Sequence, residues 1–170
     1  MPLTTISSLR VVNDPGEADR LIDVALNQLE AIAEDHFSGR NFTIRDLLAL
    51  DAPSSPTANE WTDSSGTDNT WDDTTLWDGT AIADDTVMCL YGISIPGVTS
   101  VAAPVVTALR FTVGASLRAQ VDLYKILQFD VGDTSNTTGS NLVGYLSTPL
   151  IITSQQTVKV QQRVVTASAT

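Results

Sequence analysis

Few side chains in this sequence are suited to catalysis, and their spacing does not favour an active site. His36 is the only histidine and Cys89 the only cysteine, so no Ser-His-Asp set or plausible Cys-His pair can be assembled. Cys89 lies in the apolar run of residues 87–90, which is typical of a core thiol. A glycine-rich phosphate-binding loop is also missing from the sequence. We therefore expect no enzyme, no catalytic residue and no cofactor.

Clustered carboxylates are the other groups that could do chemistry. Asp72-Asp73 and Asp84-Asp85 could in principle supply a glycosidase pair, but adjacent carboxylates on loops are more often solvated charge. Asp68-Asn69 together with Asp72-Asp73 offers hard oxygen ligands for calcium. The spacing is not that of an EF-hand and the central glycine is missing, so we expect no metal site.

The charge balance excludes some classes of partner. The net charge is -11, with sixteen Asp against four Glu, and the only lysines are Lys125 and Lys159. Without a basic patch to neutralise phosphates, nucleic-acid binding is not expected. Such acidity fits either a protein kept soluble by self-repulsion or one adapted to high salt. Since no apolar run approaches about 20 residues, and no secretory signal is recognisable at the N-terminus, we expect no membrane partner.

Three tryptophans stand out in an Asp- and Ser-rich stretch, residues 51–85, that shows almost no periodicity. Trp61, Trp71 and Trp77 could anchor a long ordered loop on a sheet or on a neighbouring subunit. Flat aromatic rings beside Asp and Asn are also suited to sugar binding, and the acids leave calcium as a third reading. The anchoring role is the favoured interpretation, which makes the three tryptophans candidate partner-interface residues.

The elements that must position these residues begin with a helix. Residues 1–13 read as an extended arm, and Asp14, Pro15 and Glu17 form a helix start with a capping box. Apolar residues then recur every three or four positions up to Gly39, with His36 close to the helix end. The apolar stripe supplies further candidate partner-interface residues: Leu21, Ile22, Leu26, Leu29 and Ile32. Residues 41–50 read as a short helix, with a strand as the alternative.

From residue 86 onward the pattern is typical of β-strands. Residues 86–95 are apolar on both faces, and residues 104–113 and 117–129 alternate between apolar and polar. The alternation places Leu117, Val121, Leu123, Leu127 and Phe129 towards the core. Residues 142–160 read as a strand, a corner at Thr148-Pro149, a second strand, a turn and a third strand, and residues 163–166 are the candidate for a last short strand.

These patterns predict a mainly β protein, an antiparallel β-sandwich or jelly roll with an N-terminal amphipathic helix and a long Trp/Asp-rich loop. The predicted parts are an arm and helix (1–50), the ordered loop (51–85) and the sandwich (86–170), with parts of 40–85 joining the sandwich in one compact unit.

The C-terminal part carries a resemblance. Phe129-Asp130, a Gly/Asn/Thr-rich loop and then NLVGYLSTP at residues 141–149 resemble the C-terminal part of small β-sandwich virion proteins of tailed viruses. Those proteins decorate heads, resemble fibres or serve as minor structural components.

The resemblance implies a virion structural protein, most simply a capsid decoration or cement protein that is made in the host cytoplasm and ends up on the capsid surface. Its expected partners are the major capsid protein or another virion protein and further copies of itself, as a homo-oligomer and most simply a trimer. Residues 1–39 are then expected to bind the capsid shell. The alternatives are a glycan- or receptor-binding module of a fibre or spike, and a head–tail or baseplate connector.

Overall fold

The computed structural model describes residues 7–51, 69–94, 105–126 and 143–165. Within these residues the protein is mainly β, with one α-helix near the N-terminus. In chain order the elements are β1 (Leu9–Val11), α1 (Pro15–His36), β2 (Trp71–Ala81), β3 (Met88–Ser94), β4 (Val105–Val113), β5 (Ser116–Asp122), β6 (Val143–Ile152) and β7 (Thr157–Val165). Two short 3₁₀ turns lie at Ala49–Asp51 and Leu123–Lys125.

The strands form two antiparallel sheets. The three-stranded sheet has the order β1-β6-β3 and the four-stranded sheet the order β2-β7-β4-β5. Apolar side chains from both sheets meet in one core, and its most deeply buried members include Val121, Ile126, Val158 and Val160. This arrangement is consistent with a β-sandwich, because each sheet buries one face against the other.

Helix α1 begins where the sequence predicts. Asp14 is the N-cap and its carboxylate accepts a hydrogen bond from the Gly16 N–H (3.1 Å), while Pro15 occupies the first turn. The Glu17 carboxylate, which the sequence predicts to complete a capping box, is paired instead with Arg10 of β1 at 2.7 Å. The helix ends at His36, so the predicted helix is confirmed to within a turn of Gly39.

Helix α1 lies on the outer face of the three-stranded sheet. It packs against β3 and β6, and the Cys89 Sγ of β3 lies 3.9 Å from the Ala25 carbonyl oxygen. Ala25 and Ala33 are buried yet do not belong to the core between the sheets. The helix therefore covers the face of the sheet that points away from that core, and small alanine side chains allow it to approach closely.

The described part of the N-terminal arm is built into the fold. Strand β1 pairs with β6, and Leu9 is only 2% exposed in the common core. Ser7 joins the two sheets: its backbone bonds to Arg118 and Gln120 of β5, and its hydroxyl donates to the Thr148 carbonyl oxygen of β6 at 2.8 Å. Residues 7–11 of the predicted extended arm are therefore part of the fold, because their hydrogen-bonding groups are paired with both sheets.

The predicted ordered loop is in part a strand. Residues 71–81 form β2 at the edge of the four-stranded sheet, paired antiparallel with β7. Its backbone finds hydrogen-bond partners on β7, and the buried Thr74 hydroxyl donates to the Val160 carbonyl oxygen at 2.9 Å. Two register shifts interrupt the pairing, between Asp73 and Asp78 and between Asp78 and Ala81. These irregularities explain why the sequence lacks a period-two pattern here. Residues 52–68 lie outside the described part.

Two further predictions about the strands need correction. Thr148-Pro149 does not form a corner, because β6 runs continuously through it. Pro149 lies where the pairing of β6 with β3 is interrupted, between Leu150 and Tyr145, and so its missing N–H disrupts no ladder. The strand predicted at residues 117–129 ends at Asp122, whose carboxylate accepts a hydrogen bond from the Tyr124 N–H and caps a 3₁₀ turn.

The alternating side chains are placed as follows. Val121 and Leu123 are buried as predicted, whereas Leu117 is only half-buried. Leu127 and Phe129 lie outside the described residues. The short helix predicted over residues 41–50 is also wrong, since only the 3₁₀ turn at its end is regular.

Candidate functional site

The predicted interface residues of helix α1 are divided between internal packing and solvent. Leu21, Ile22, Leu29 and Ile32 are half-buried, and their partly covered side chains accompany the buried Ala25 and Ala33 on the sheet side. Leu26 is 37% exposed, and Val24 is 39% exposed. Most of the stripe therefore serves the fold, and the surface that it leaves for a partner is narrower than the sequence suggests.

The segment after the helix presents the larger apolar surface. Within residues 44–50, here called the apolar segment, four large side chains are between 39% and 48% exposed: Ile44, Leu47, Leu48 and Leu50. Among the described residues, the other exposed large apolar side chains are Val24, Leu26 and Tyr124. Six of these seven thus lie in residues 24–50. Four of them lie within seven consecutive residues, 44–50, and exposed apolar side chains grouped in this way are typical of interaction surfaces.

An ion pair fixes the apolar segment. Arg45 donates two hydrogen bonds to Asp51, from Nη1 to Oδ2 at 2.8 Å and from Nη2 to Oδ1 at 2.6 Å. The Leu48 N–H donates to the same carboxylate at 2.8 Å, and the Asp51 N–H donates to the Leu48 carbonyl oxygen. These bonds hold the pKa of Asp51 below its usual range, chiefly through Arg45 and then through Leu48. The loop is closed by polar contacts, so its apolar side chains point outwards without helical structure.

The described tryptophans occupy two different environments. Trp77 is 3% exposed and belongs to the core between the sheets. Trp71 is half-buried, and the Arg110 guanidinium carbon lies 3.9 Å from its ring centroid, a cation–π contact. Trp61 lies outside the described residues. Trp77 is thus an anchor within the protein itself and is not available to a partner. Trp71 and Trp77 do not form a row of rings on an open surface.

The outer face of the four-stranded sheet is polar, and its side chains bind one another. Lys159 Nζ lies 2.8 Å from Asp73 Oδ2, and Gln161 Nε2 donates to Asp73 Oδ1 at 2.9 Å. Both bonds lower the pKa of Asp73, that from Lys159 first. Arg110 Nε in turn donates to Gln120 Oε1 at 2.8 Å. Since these side chains already bind one another, the face is better described as a surface hydrogen-bond network than as a preformed ligand-binding site.

The remaining chemically capable residues are separated in space. His36 ends the helix and its ring meets Phe37 edge-on, with centroids 4.8 Å apart. Cys89 is half-buried beneath the helix, and burial raises the pKa of its thiol to about 11, so it is a poor nucleophile at neutral pH. Across the described ranges, no group of three or more His, Cys, Asp or Glu side chains is arranged to hold a metal ion. Asp68 of the calcium hypothesis lies outside them, and the expected absence of a metal stays a prediction.

No helix in the described part of the chain is both long enough and apolar enough to cross a membrane. Comparison of the chain with protein-family models, with curated proteins and with solved structures gave no match.

Proposed function

We propose that this chain is a structural protein of a tailed-virus particle, a capsid decoration or cement protein that attaches to the head lattice through residues 24–50. The observation that carries the proposal is the group of four exposed apolar side chains within residues 44–50 of that region. The resemblance of residues 129–149 to small β-sandwich virion proteins is the reason for proposing a virus particle. The jelly-roll form of the sandwich stays a prediction that follows from the same resemblance.

The geometry of the apolar segment supports attachment in place of catalysis. The Arg45–Asp51 pair holds the segment in one conformation before any partner arrives. A surface fixed in this way loses less conformational entropy on binding than a flexible one does. The arm, by contrast, is removed from the attachment role over residues 7–11, because it belongs to both sheets.

The strength of such an attachment argues for more than one copy. Fully burying a large aliphatic side chain contributes about 1.5–3 kcal/mol, so covering the exposed half of four such side chains contributes roughly 3–6 kcal/mol. A micromolar complex needs about 8 kcal/mol after the cost of association. One copy is therefore weak, and we propose a homo-oligomer whose linked sites bind with avidity. The described contacts do not favour the trimer expected from the sequence over a two-fold assembly.

The test is co-sedimentation with heads of the virus that encodes the chain. We expect Ile44→Asp and Leu47→Asp each to reduce the bound fraction about tenfold, the effect of losing roughly 1.4 kcal/mol. Tyr124→Asp is the matched control, because Tyr124 is 52% exposed and lies outside residues 24–50. Circular dichroism would establish that all three variants keep the fold.

Two outcomes would contradict the proposal. Undiminished binding by both apolar-segment variants would show that the segment is not the attachment surface. Glycan binding by the full chain that is lost in Trp71→Ala, without any binding to heads, would favour the fibre or spike alternative. A connector would bind at the head–tail junction alone, which electron microscopy of labelled particles distinguishes.

A further inference from the structure

Among the described strands, three of the four sheet edges are protected against pairing with another chain. Strand β1 has only three residues, and the backbone of Ser7 bonds to part of the outer edge of β5. Strand β2 carries two register shifts and the charges of Asp72, Asp73 and Asp78. Short edges, bulges and charges are the usual means by which proteins prevent edge-to-edge association.

Strand β3 has none of these protections. Its seven residues, MCLYGIS, contain no charge and no proline. Its one neighbour in the described part of the chain is β6, and where their register shifts the extra residues lie on β6, so that β3 itself remains extended. Every second residue of an edge strand directs its N–H and C=O away from the sheet. Within the described residues these outer groups of β3 meet no strand.

Both faces of β3 are at least partly covered, with Met88 buried and residues 89–93 half-buried. Met88 faces the core between the sheets, and Cys89 on the opposite face lies beneath Ala25 of helix α1. A strand with apolar residues on both faces is typical of the middle of a sheet. At β3 this interior pattern occurs at an edge, and the position beyond that edge is suited to another strand.

One residue of the apolar segment lies near β3. Burial raises the pKa of the Tyr91 hydroxyl, and the nearby Asp46 carboxylate adds to the increase, which places residue 46 close to Tyr91. Strand β3 itself carries no charged residue, in a chain whose net charge is -11.

We propose that β3 pairs antiparallel with β3 of a second copy across a two-fold axis, joining two three-stranded sheets into one six-stranded sheet. The pairing continues both layers, because the apolar faces and the helices of the two copies lie on matching sides. Two chains of charge -11 repel each other, and an uncharged edge is where they can meet at least cost. This inference deepens the homo-oligomer in the proposed function, replaces the three-fold arrangement with a two-fold one, and does not depend on the virion.

The size of the contact sets its strength. Seven residues at about 3.3 Å each make an edge roughly 23 Å long. With the helix layer beside it, the buried surface is on the order of 500 Å² per copy, below the about 800 Å² of a standard interface. The dimer is therefore expected to be weak and dependent on concentration.

The experiment is sedimentation equilibrium of the full chain from about 5 to about 500 μM, the range that suits an interface of this size. We expect a monomer–dimer equilibrium that Ser94→Lys and Tyr91→Lys each weaken at least tenfold, since lysine on an edge opposes pairing. Thr80→Lys on exposed β2 is the matched control with the same change in net charge, and it should leave the equilibrium unchanged. Because each variant lowers the negative charge, any loss of dimer must come from the edge and not from repulsion.

Amide hydrogen exchange gives a second readout that needs no variant. Protection of residues 88–94 should rise with protein concentration, while that of β2 should not. A monomer at every concentration, a trimer, or a dimer that neither lysine at β3 weakens would each overturn the inference. Failure to bind virus heads by a chain that still dimerises through β3 would overturn the proposed function alone.

Discussion

At the residue scale, one carboxylate determines the shape of the apolar segment. Asp51 accepts hydrogen bonds from the Arg45 side chain and from the Leu48 N–H, six and three residues away in the chain. A carboxylate can accept several bonds at once, so one side chain closes the whole turn. The apolar residues between these positions are then presented to solvent. The sequence predicts a short helix here, because Thr43 followed by Asp46 could cap one.

Replacing Asp51 with Ala should release the segment. The Leu48 amide is expected to exchange faster by about tenfold or more, as one lost hydrogen bond to a charged group implies. Exchange measured by NMR at neutral pH provides the test. Asp46→Ala is the control, because the Asp46 carboxylate forms no ion pair among the described residues. Equal exchange in both variants would contradict the role of Asp51.

The same contact has a defined pH dependence. Because the pKa of Asp51 is lowered in the folded state, its stabilising effect is complete above the unfolded pKa of about 3.9. The effect is lost as the pH falls through the lowered pKa. Local opening of the segment is therefore expected only in acid, and opening between pH 5 and pH 8 would point to another group.

At the element scale, the Leu9 side chain of β1 lies directly over Gly144 of β6. Gly144 of β6 pairs with Val11, and a Cβ placed on Gly144 would lie 2.5 Å from the Cγ of Leu9. Leu9 can enter the core only because Gly144 has no side chain. The glycine is thus required by packing, and it allows a three-residue strand to be held by its apolar anchor.

Gly144→Ala should destabilise the protein by about 1–3 kcal/mol, the usual cost of overpacking a core. Gly16→Ala is the control: a Cβ there meets its nearest neighbour at an ordinary 3.6 Å, and alanine suits the helix. Chemical denaturation of both variants would give the two free energies of unfolding. Adding Leu9→Ala to Gly144→Ala should cost less than the two single changes together, because the clash disappears. Simple additivity would show that the two side-chain positions do not meet.

At the scale of the whole molecule, the charge of -11 and the absence of a metal-binding cluster among the described residues both bear on what stabilises the fold. An acidic protein can be stabilised by bound cations, by its fold alone or by high salt. Asp73 is bound to Lys159 and Gln161, and Asp78 accepts bonds from Thr80, so that these carboxylates have partners within the protein. The stability of the fold is therefore expected to be independent of divalent cations.

Thermal melts with and without excess chelator should coincide for this reason. Circular dichroism at fixed ionic strength would measure the two midpoints, with sodium chloride added to compensate for the charge of the chelator. A bound structural metal contributes free energy of folding directly, so its removal would lower the midpoint by several degrees. Such a decrease would revive the calcium hypothesis for the Asp-rich stretch.

The sequence by itself determined the features that depend on nearby residues. Asp14 and Pro15 start the helix through contacts within one turn, and the alternation around Val121 orients β5 through the two-residue period of a strand. The mainly β character follows from the same local patterns. Neither the half-buried position of Cys89 beneath helix α1, outside the core between the sheets, nor the exposure of Leu47 was readable in this way, because each depends on what lies opposite.

The tertiary structure alone decided the roles of the segments that have no strong local pattern. Strand β2 exists because β7 supplies its hydrogen-bond partners, and β1 is held because Gly144 of β6, opposite Val11, leaves room for the Leu9 side chain. The edge position of β3 likewise follows from the order of the strands and not from its own residues, whose pattern is that of an interior strand. Pairing between distant strands depends on backbone groups that every residue carries, and so the sequence records it only weakly.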